Sequence, residues 1–329
     1  MSPDKDQEIQ YTYLDSHANW PTYQHYRPSY PAATENLILT YHRSHSNSLR
    51  LAHDVGAGAG AAIFAPRLAE YFQHVHISDP SPTTLSRARE KVGEFYRENW
   101  WKGTFSLSLG TAEACQEAFA RQSVDLVSLM MMAHWPEDTG RMMDAVAESL
   151  APNGTLVVVS YAPCCSVVGD AGVNTALEGL WEAWGSNFAR DADRRIERNN
   201  SPLDFIGLRE EEGDGVWLQD VTKRIKINFR DRGDAAFVIP GSGGRVAESK
   251  VGEKQRKYLF SDEDEEGAGW RKEVDAAWFR GYIGSLEKEE NLGSYEEHLR
   301  ELERVIREMT KDGTVVVEWA VSILLATKK

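Results

Sequence analysis

Residues 53–60 read HDVGAGAG, placing Asp54 two positions before Gly56, with Ala57, Gly58 and Gly60 following. A glycine loop between a strand and a helix turns backbone N–H groups and the positive helix end toward the carboxyl edge of a sheet. Without Cβ atoms it also lets a ligand approach the backbone closely. Dinucleotides and other nucleoside cofactors both use such loops. Gly56, Gly58 and Ala61 satisfy the G-x-G-x-x-A form of the dinucleotide fingerprint, so the glycines alone do not choose between them. Asp54 does discriminate, since it would repel a pyrophosphate and attract an ammonium group. A second acid, Asp79, followed by Pro80, lies 19 residues past Gly60. A carboxylate there can accept hydrogen bonds from both hydroxyls of a ribose. The structural alternative is a loop cap for Asp54 and a helix cap for Asp79.

Holding these groups together requires strands that end at one edge. LRLAHDV (49–55), HVHISD (74–79), TFSLSL (104–109), VDLVSLMM (124–131) and a β-branched run over 155–161 alternate with helical patterns. That alternation predicts βαβ units, a parallel sheet and helices on both faces. After Tyr161 it stops. Leu177, Leu180, Trp181, Trp184 and Phe188 form one helical stripe, 216–229 predicts a long strand, and a helix near 295–309 precedes a closing strand. The PGSGGRVAESKVGEK and SDEDEEGAG stretches predict a mobile, solvated loop near 240–270. The expected organisation is an N-terminal lid over 1–45 and a cofactor-binding core over 46–161, completed by strands at about 216–229 and 314–327. Residues 162–214 and 231–311 would form a cap over the substrate.

Against 37 Lys and Arg stand 51 Asp and Glu, a formal net charge of −14. This balance argues against nucleic acid and against an anionic membrane surface. An apolar run of about 18 residues, as a membrane helix needs, is absent. The polar start, MSPDKDQEIQ, does not read as a secretory signal. The three cysteines, Cys115, Cys164 and Cys165, read as reduced thiols of a cytoplasmic protein. No metal site is expected, because no Cys/His cluster has ligand spacing. The sequence assigns no oligomeric state.

The D-x-G-x-G-x-G pattern of residues 54–60 resembles motif I of the class I S-adenosylmethionine-dependent methyltransferases. YQHYRPSYP (23–31), AHW (133–135), APNGTLVVVSY (151–161), WFRGYIGSLE (278–287) and VVVEWAVSILLATKK (315–329) resemble segments of their trans-aconitate methyltransferase-like branch. The resemblance implies an α/β fold: a seven-stranded Rossmann-like methyltransferase sheet, helices on both faces and a cap insertion. The implied cofactor is S-adenosyl-L-methionine. Its site would use Asp54, Gly56, Ala57, Gly58, Gly60, Asp79 and Pro80, with Ala112 and Glu113 of GTAEAC along the adenine and Met131 nearby. Tyr26 and Arg27 would fold over it, the guanidinium suiting the methionyl carboxylate. Tyr13, Tyr23, Trp135 and Tyr161 would line the substrate. His134 would hold or deprotonate the acceptor. A histidine packed on Trp135, and an Arg27 in a surface ion pair, are the alternatives. His53 departs from the resemblance, because its strand position is usually apolar.

These readings point to methyl transfer onto a small molecule, with a carboxyl or hydroxyl oxygen as acceptor. A carboxylate needs no general base, whereas a phenol would benefit from one. Two other readings fit the same loop. One is an S-adenosylmethionine-binding enzyme that catalyses a rearrangement or elimination. The other is a non-catalytic binding protein or regulator of secondary metabolism.

Overall fold

The computed structural model describes residues 20–58, 61–99, 103–189, 193–208, 215–229 and 232–329. Tyr13 and Gly60 lie outside them. The chain opens with α1 (Trp20–Tyr26) and α2 (Ala32–His45). There follow β1 (Leu51–Val55), α3 (Ala61–Ala69), β2 (His74–Asp79), α4 (Pro82–Asn99) and β3 (Thr104–Leu109). A 3-10 segment, Ala112–Ala118, leads to β4 (Val124–Met130), α5 (Thr139–Ser149) and β5 (Leu150–Tyr161). Next come β6 (Ser166–Val167), α6 (Ala171–Gly185), α7 (Arg194–Asn199), β7 (Lys223–Ile227) and β8 (Arg256–Phe260). The last elements are β9 (Arg271–Asp275), α8 (Ala276–Gly284), α9 (Glu296–Met309), β10 (Thr314–Glu318) and β11 (Val321–Thr327).

The main sheet has eight strands in the order β3-β2-β1-β4-β5-β11-β7-β8. β1 to β5 pair in parallel, while β11 runs antiparallel to both β5 and β7. Asp54 sits opposite Ser128, and Met130 opposite Val159. The glycine loop, Asp79, Met131 and Tyr161 therefore leave the sheet at one edge. β4 is buried at every position, as its near-continuous apolar run requires of a central strand covered on both faces.

β2 alternates sharply. Val75 and Ile77 join Phe64, Leu68, Ala88 and Val92 in the apolar core. The opposite face carries a ladder of imidazoles and hydroxyls. His76 bonds Ser106 Oγ at 2.7 Å and Ser108 Oγ at 2.8 Å, His74 bonds Ser106 Oγ at 2.7 Å, and His53 bonds Ser78 Oγ at 2.8 Å. The Phe119 ring packs edge-on against His76, with centroids 4.6 Å apart. His53, unexpected in a strand interior, belongs to this ladder.

Several expectations change. The sheet gains an eighth strand, because β8 pairs in parallel with β7 beyond the expected edge. The long strand over 216–229 shrinks to Lys223–Ile227, since residues 219–221 form a 3-10 turn. The closing strand breaks at Trp319 and Ala320: β11 stays in the main sheet, but β10 crosses to a second sheet ordered β6-β10-β9. The stretch expected to be a mobile, solvated loop is largely exposed and makes hydrogen bonds with distant elements. Asn200 Nδ2 donates to Arg245 O at 2.9 Å, Lys250 N to Asp204 O at 2.7 Å, and buried Arg224 reaches Gln255 Oε1 at 2.6 Å. Asp264 accepts from Ser261 N at 2.7 Å, so the acidic run is a capped turn. Within the stretch read as an N-terminal lid, α2 buries Ile38, Leu39 and Tyr41 in the core.

The ladder sets an acid limit on stability. Burial, with His76 beside it, holds His53 well below the ordinary imidazole value, and burial, with His74 beside it, takes His76 down to about 4. The unfolded chain binds these protons near pH 6.5, roughly. Stability is therefore complete above that pH and declines as the pH falls toward about 4. In urea titrations, His76→Gln should flatten this decline by on the order of 2–3 kcal/mol; an unchanged slope would remove His76 from the account.

Candidate active site

The loop after β1 is built around Asp79. Gly56 N and Ala57 N donate to Ser78 O at 2.8 and 3.2 Å, and Gly58 N donates to Asp79 Oδ2 at 2.9 Å. Asp79 Oδ1 accepts from Ser81 N at 2.9 Å, at the start of α4. One carboxylate thus fastens the loop to the neighbouring helix. Half-buried Pro80 lies at the same turn. Gly56 adopts φ +62°, and a Cβ there would stand 2.7 Å from Met132 Cε. No larger residue fits both conditions. Asp54 is buried and accepts from Ser128 Oγ at 2.6 Å. Burial lifts its carboxyl to about 7; the Ser128 bond opposes that shift and the nearby Asp79 reinforces it. A bound cation would relieve both acids. The donor set therefore fits an ammonium or sulfonium and does not fit a pyrophosphate.

Met131, just past β4, has φ +54°, an uncommon conformation for a residue with a side chain. Its sulfur accepts from Tyr161 N at 3.0 Å, which joins the ends of β4 and β5. His134 follows, half-buried, its ring 5.3 Å from that of Trp135. The Arg195 guanidinium lies 5.4 Å over Trp135, and Arg198 donates to Pro136 O and to Glu137 O. Burial and the charges of Arg195, Arg198 and Arg27 push His134 down to about 4, against the pull of Asp193. Buried Ala112 begins the 3-10 segment. Its neighbour Glu113 accepts from Glu137 N at 2.8 Å, so this carboxylate fastens the loop that follows His134.

Arg27 lies between these groups and α8. Its Nη2 donates to Ser285 O at 3.1 Å, and its guanidinium stands 5.0 Å from the Tyr23 ring and 5.6 Å from the Tyr282 ring. Its Nε is buried without a hydrogen-bond partner among the described residues. Burial works to lower its pKa, but Tyr161, Tyr282 and Tyr23 outweigh that and hold it above the ordinary value. Burial, with Tyr23 next in effect, raises Tyr161 well above the usual phenol value. Tyr30 is a site residue that the sequence reading missed. Burial, Tyr23 and Asp54 all raise its hydroxyl, and its ring packs edge-on to Phe64 at 5.5 Å and Trp270 at 6.1 Å. It bridges the two halves of the site. The signal was its place in RPSYP, immediately before Pro31 and α2. Tyr26 instead points at α8, against Gly281.

A cation held by Asp54 requires the carboxylate, whose proton is lost at about 7. Affinity for S-adenosylmethionine should therefore rise with pH through that value and fall below it, with a fraction of a proton released on binding near neutrality. Calorimetry in buffers of different ionisation enthalpy reads that proton, and an Asp54→Asn variant should show none. Asp79→Ala should weaken binding at least about tenfold, since charge-assisted bonds are worth roughly 1.5–3 kcal/mol each; unchanged affinity would refute the ribose role.

Residues 53–158 match a family described as a methyltransferase domain. Methyltransferase gedG of Aspergillus terreus is 26% identical over 319 residues, covering 94% of this chain and 91% of its own. Methyltransferase AacuQ of Aspergillus aculeatus is 25% identical over 323 residues, covering 95% and 94%. Among solved structures, one described as a type II methyltransferase from Anaeromyxobacter dehalogenans shares the fold, with a TM-score of 0.53 and 16% identity over 91% of this chain and 97% of that one. The α/β Rossmann-like reading stands, and the matched domain covers the sheet edge where Asp54 and Asp79 meet. The chain is an S-adenosylmethionine-dependent methyltransferase.

Proposed function

We propose that the acceptor is an oxygen of a small anionic molecule, a carboxylate first and an acidic hydroxyl second, and that the chain belongs to the trans-aconitate methyltransferase-like branch. The carrying observation is the state of His134, held at about 4 by burial and by Arg195, Arg198 and Arg27. Moving a phenol proton, with pKa about 10, onto such an imidazole would cost on the order of 8 kcal/mol. An acceptor that ionises by itself avoids that step and is attracted by the same guanidinium groups. The overall charge of −14 speaks against nucleic acid as the methyl acceptor.

When bound, S-adenosylmethionine supplies an activated methyl group with a neutral thioether as leaving group. Asp54 and Asp79 hold the cofactor's ammonium and ribose, and the glycine loop lies along it. Neutral His134 donates or accepts one hydrogen bond and orients the acceptor, while Arg27, with its unpaired Nε, holds negative charge. Tyr30, Tyr161 and Trp270 exclude water. Alignment of this kind can supply roughly 7–11 kcal/mol of barrier lowering.

Labelled cofactor offered with matched pairs of aromatic carboxylic acids and their methyl esters tests the reading: label should enter the acids and not the esters. At saturating cofactor the rate with an acid should stay flat from about pH 6 to 8, because the acceptor is ionised throughout. His134→Ala should lower kcat about tenfold, short of the 10²–10⁴ typical of a lost general base. A loss beyond about 100-fold in His134→Ala, with label entering hydroxyl compounds rather than acids, would instead establish His134 as a base for a hydroxyl acceptor.

A further inference from the structure

Arg27 and Tyr30 sit on a short segment, residues 26–31, between α1 and α2. Among the contacts that segment makes with the elements packed on it, two are close approaches to glycines. Gly281 lies inside α8, where alanine would be the better helix former. A Cβ built on it would fall within the van der Waals envelope of Tyr26 Cζ, Cε1 and Cε2. The Tyr26 ring therefore rests on bare helix backbone, flanked by His25 at 4.7 Å and Trp278 at 6.3 Å. Gly269, just before β9, has φ +97°, and a Cβ there would stand 2.6 Å from Pro31 Cβ. One turn beyond Gly281, the carboxyl end of α8 receives Arg27 at Ser285 O, where the helix end favours a cation. Trp270, next to Gly269, donates to Thr34 Oγ1 at 3.2 Å.

We propose that Gly281 and Gly269 are positioning residues, two sockets that seat Tyr26 and Pro31 and thereby hold Arg27 and Tyr30 over the acceptor. Neither glycine touches substrate. Each acts by the close approach it permits, so the lid segment docks by shape and the guanidinium follows. The spacing matches: Tyr26 and Pro31 bracket Arg27 and Tyr30, so seating both ends fixes both functional side chains. The role assigned to Arg27 rests on the proposed anionic acceptor, whereas the docking itself does not.

The test uses the full chain with Gly281→Ala, Tyr26→Ala, Tyr26→Phe and the double variant Tyr26→Ala/Gly281→Ala. Substituting an idle helical glycine would leave activity alone and raise Tm. The sockets predict otherwise. In Gly281→Ala, Tm stays at or above the parent value, amide exchange speeds up within residues 22–31 alone, and acceptor kcat/KM falls at least about tenfold with most of the change in KM, the pattern of lost binding contacts. Tyr26→Ala should match it, and the double variant should be no worse than either single, the signature of one shared contact. Tyr26→Phe keeps the ring and should retain kcat/KM within about threefold of the parent, on the same contact argument. Parent-like exchange in Gly281→Ala would overturn the proposal, as would additive losses in the double variant. If Gly281→Ala does not fold, Tyr26→Ala carries the same exchange and kinetic readouts. Faster exchange with unchanged acceptor KM would keep the sockets and refute the anionic-acceptor role of Arg27.

Discussion

Two carboxylates at the end of adjacent parallel strands, one buried and one binding its own loop, set the terms for the rest of the structure. Asp54 is 2% exposed and Asp79 7% exposed, and they raise each other's cost of ionisation. Such a pair is tolerated only where something compensates it. Ser128 does so in part, through its 2.6 Å bond to Asp54, and a ligand cation would complete it. Strand register makes this possible. Because side chains alternate between faces, a one-residue slip of β1 would put His53 where Asp54 stands and send the acid into the imidazole ladder. The ladder and the site are thus two faces of one register, and each penalises loss of the other.

Across the cleft the sign reverses. Arg27, Arg195 and Arg198 depress His134, while Tyr161, Tyr282 and Tyr23 sustain Arg27. Under the proposed reading, a cationic ligand would be drawn to the acid side and an anionic acceptor to the guanidinium side, where Asp193 already pairs with Arg195. At an effective dielectric constant near 20, unit charges about 4 Å apart interact by roughly 4 kcal/mol. That is enough to order two ligands before any chemistry begins. Tyr30 lies near enough to both Asp54 and Tyr23 for each to raise its hydroxyl.

The features legible in the sequence were those set by neighbours in the chain. Glycine spacing, Asp54 and Asp79 all act within a strand and its following turn, so periodicity and loop chemistry expose them. The Ser81-Pro82 start of α4 was equally local. The break at Trp319 was not, because TVVVEWAVSILLA is a good strand by every local measure. It breaks for tertiary reasons: Trp319 Nε1 donates to Tyr282 Oη at 2.9 Å, and Asn228 Nδ2 donates to Trp319 O at 3.0 Å. Glu113 was read as an adenine neighbour, yet its carboxylate holds the loop after His134. Tyr26 and Tyr30 share one motif and face opposite ways, and only the packing of α1 on α8 decides which enters the site. The 240–270 stretch looked solvated by composition, but its Arg245 carbonyl and Lys250 N–H are claimed by Asn200 and Asp204, and its Gln255 side chain by Arg224, all distant in sequence.

The same tertiary contacts decide which part of the enclosure can move. The Tyr282 hydroxyl donates to Pro163 O at 2.7 Å and accepts from Trp319 Nε1, and its ring is wholly buried. Trp181 Nε1 donates to Cys165 O at 2.9 Å. α6 and α8 are therefore keyed to the end of β5 and to the strand break by buried bonds whose loss would leave polar groups unsatisfied. Segment 26–31 is held differently, by close packing of Tyr26 and Pro31 on two glycines, by ring contacts of Tyr30, and by the Arg27 guanidinium at Ser285 O and over the Tyr282 ring. Local opening follows the elements with the fewest buried contacts. Opening, where it occurs, is therefore expected in segment 26–31 before α6 or α8, whose buried hydrogen bonds would have to break first.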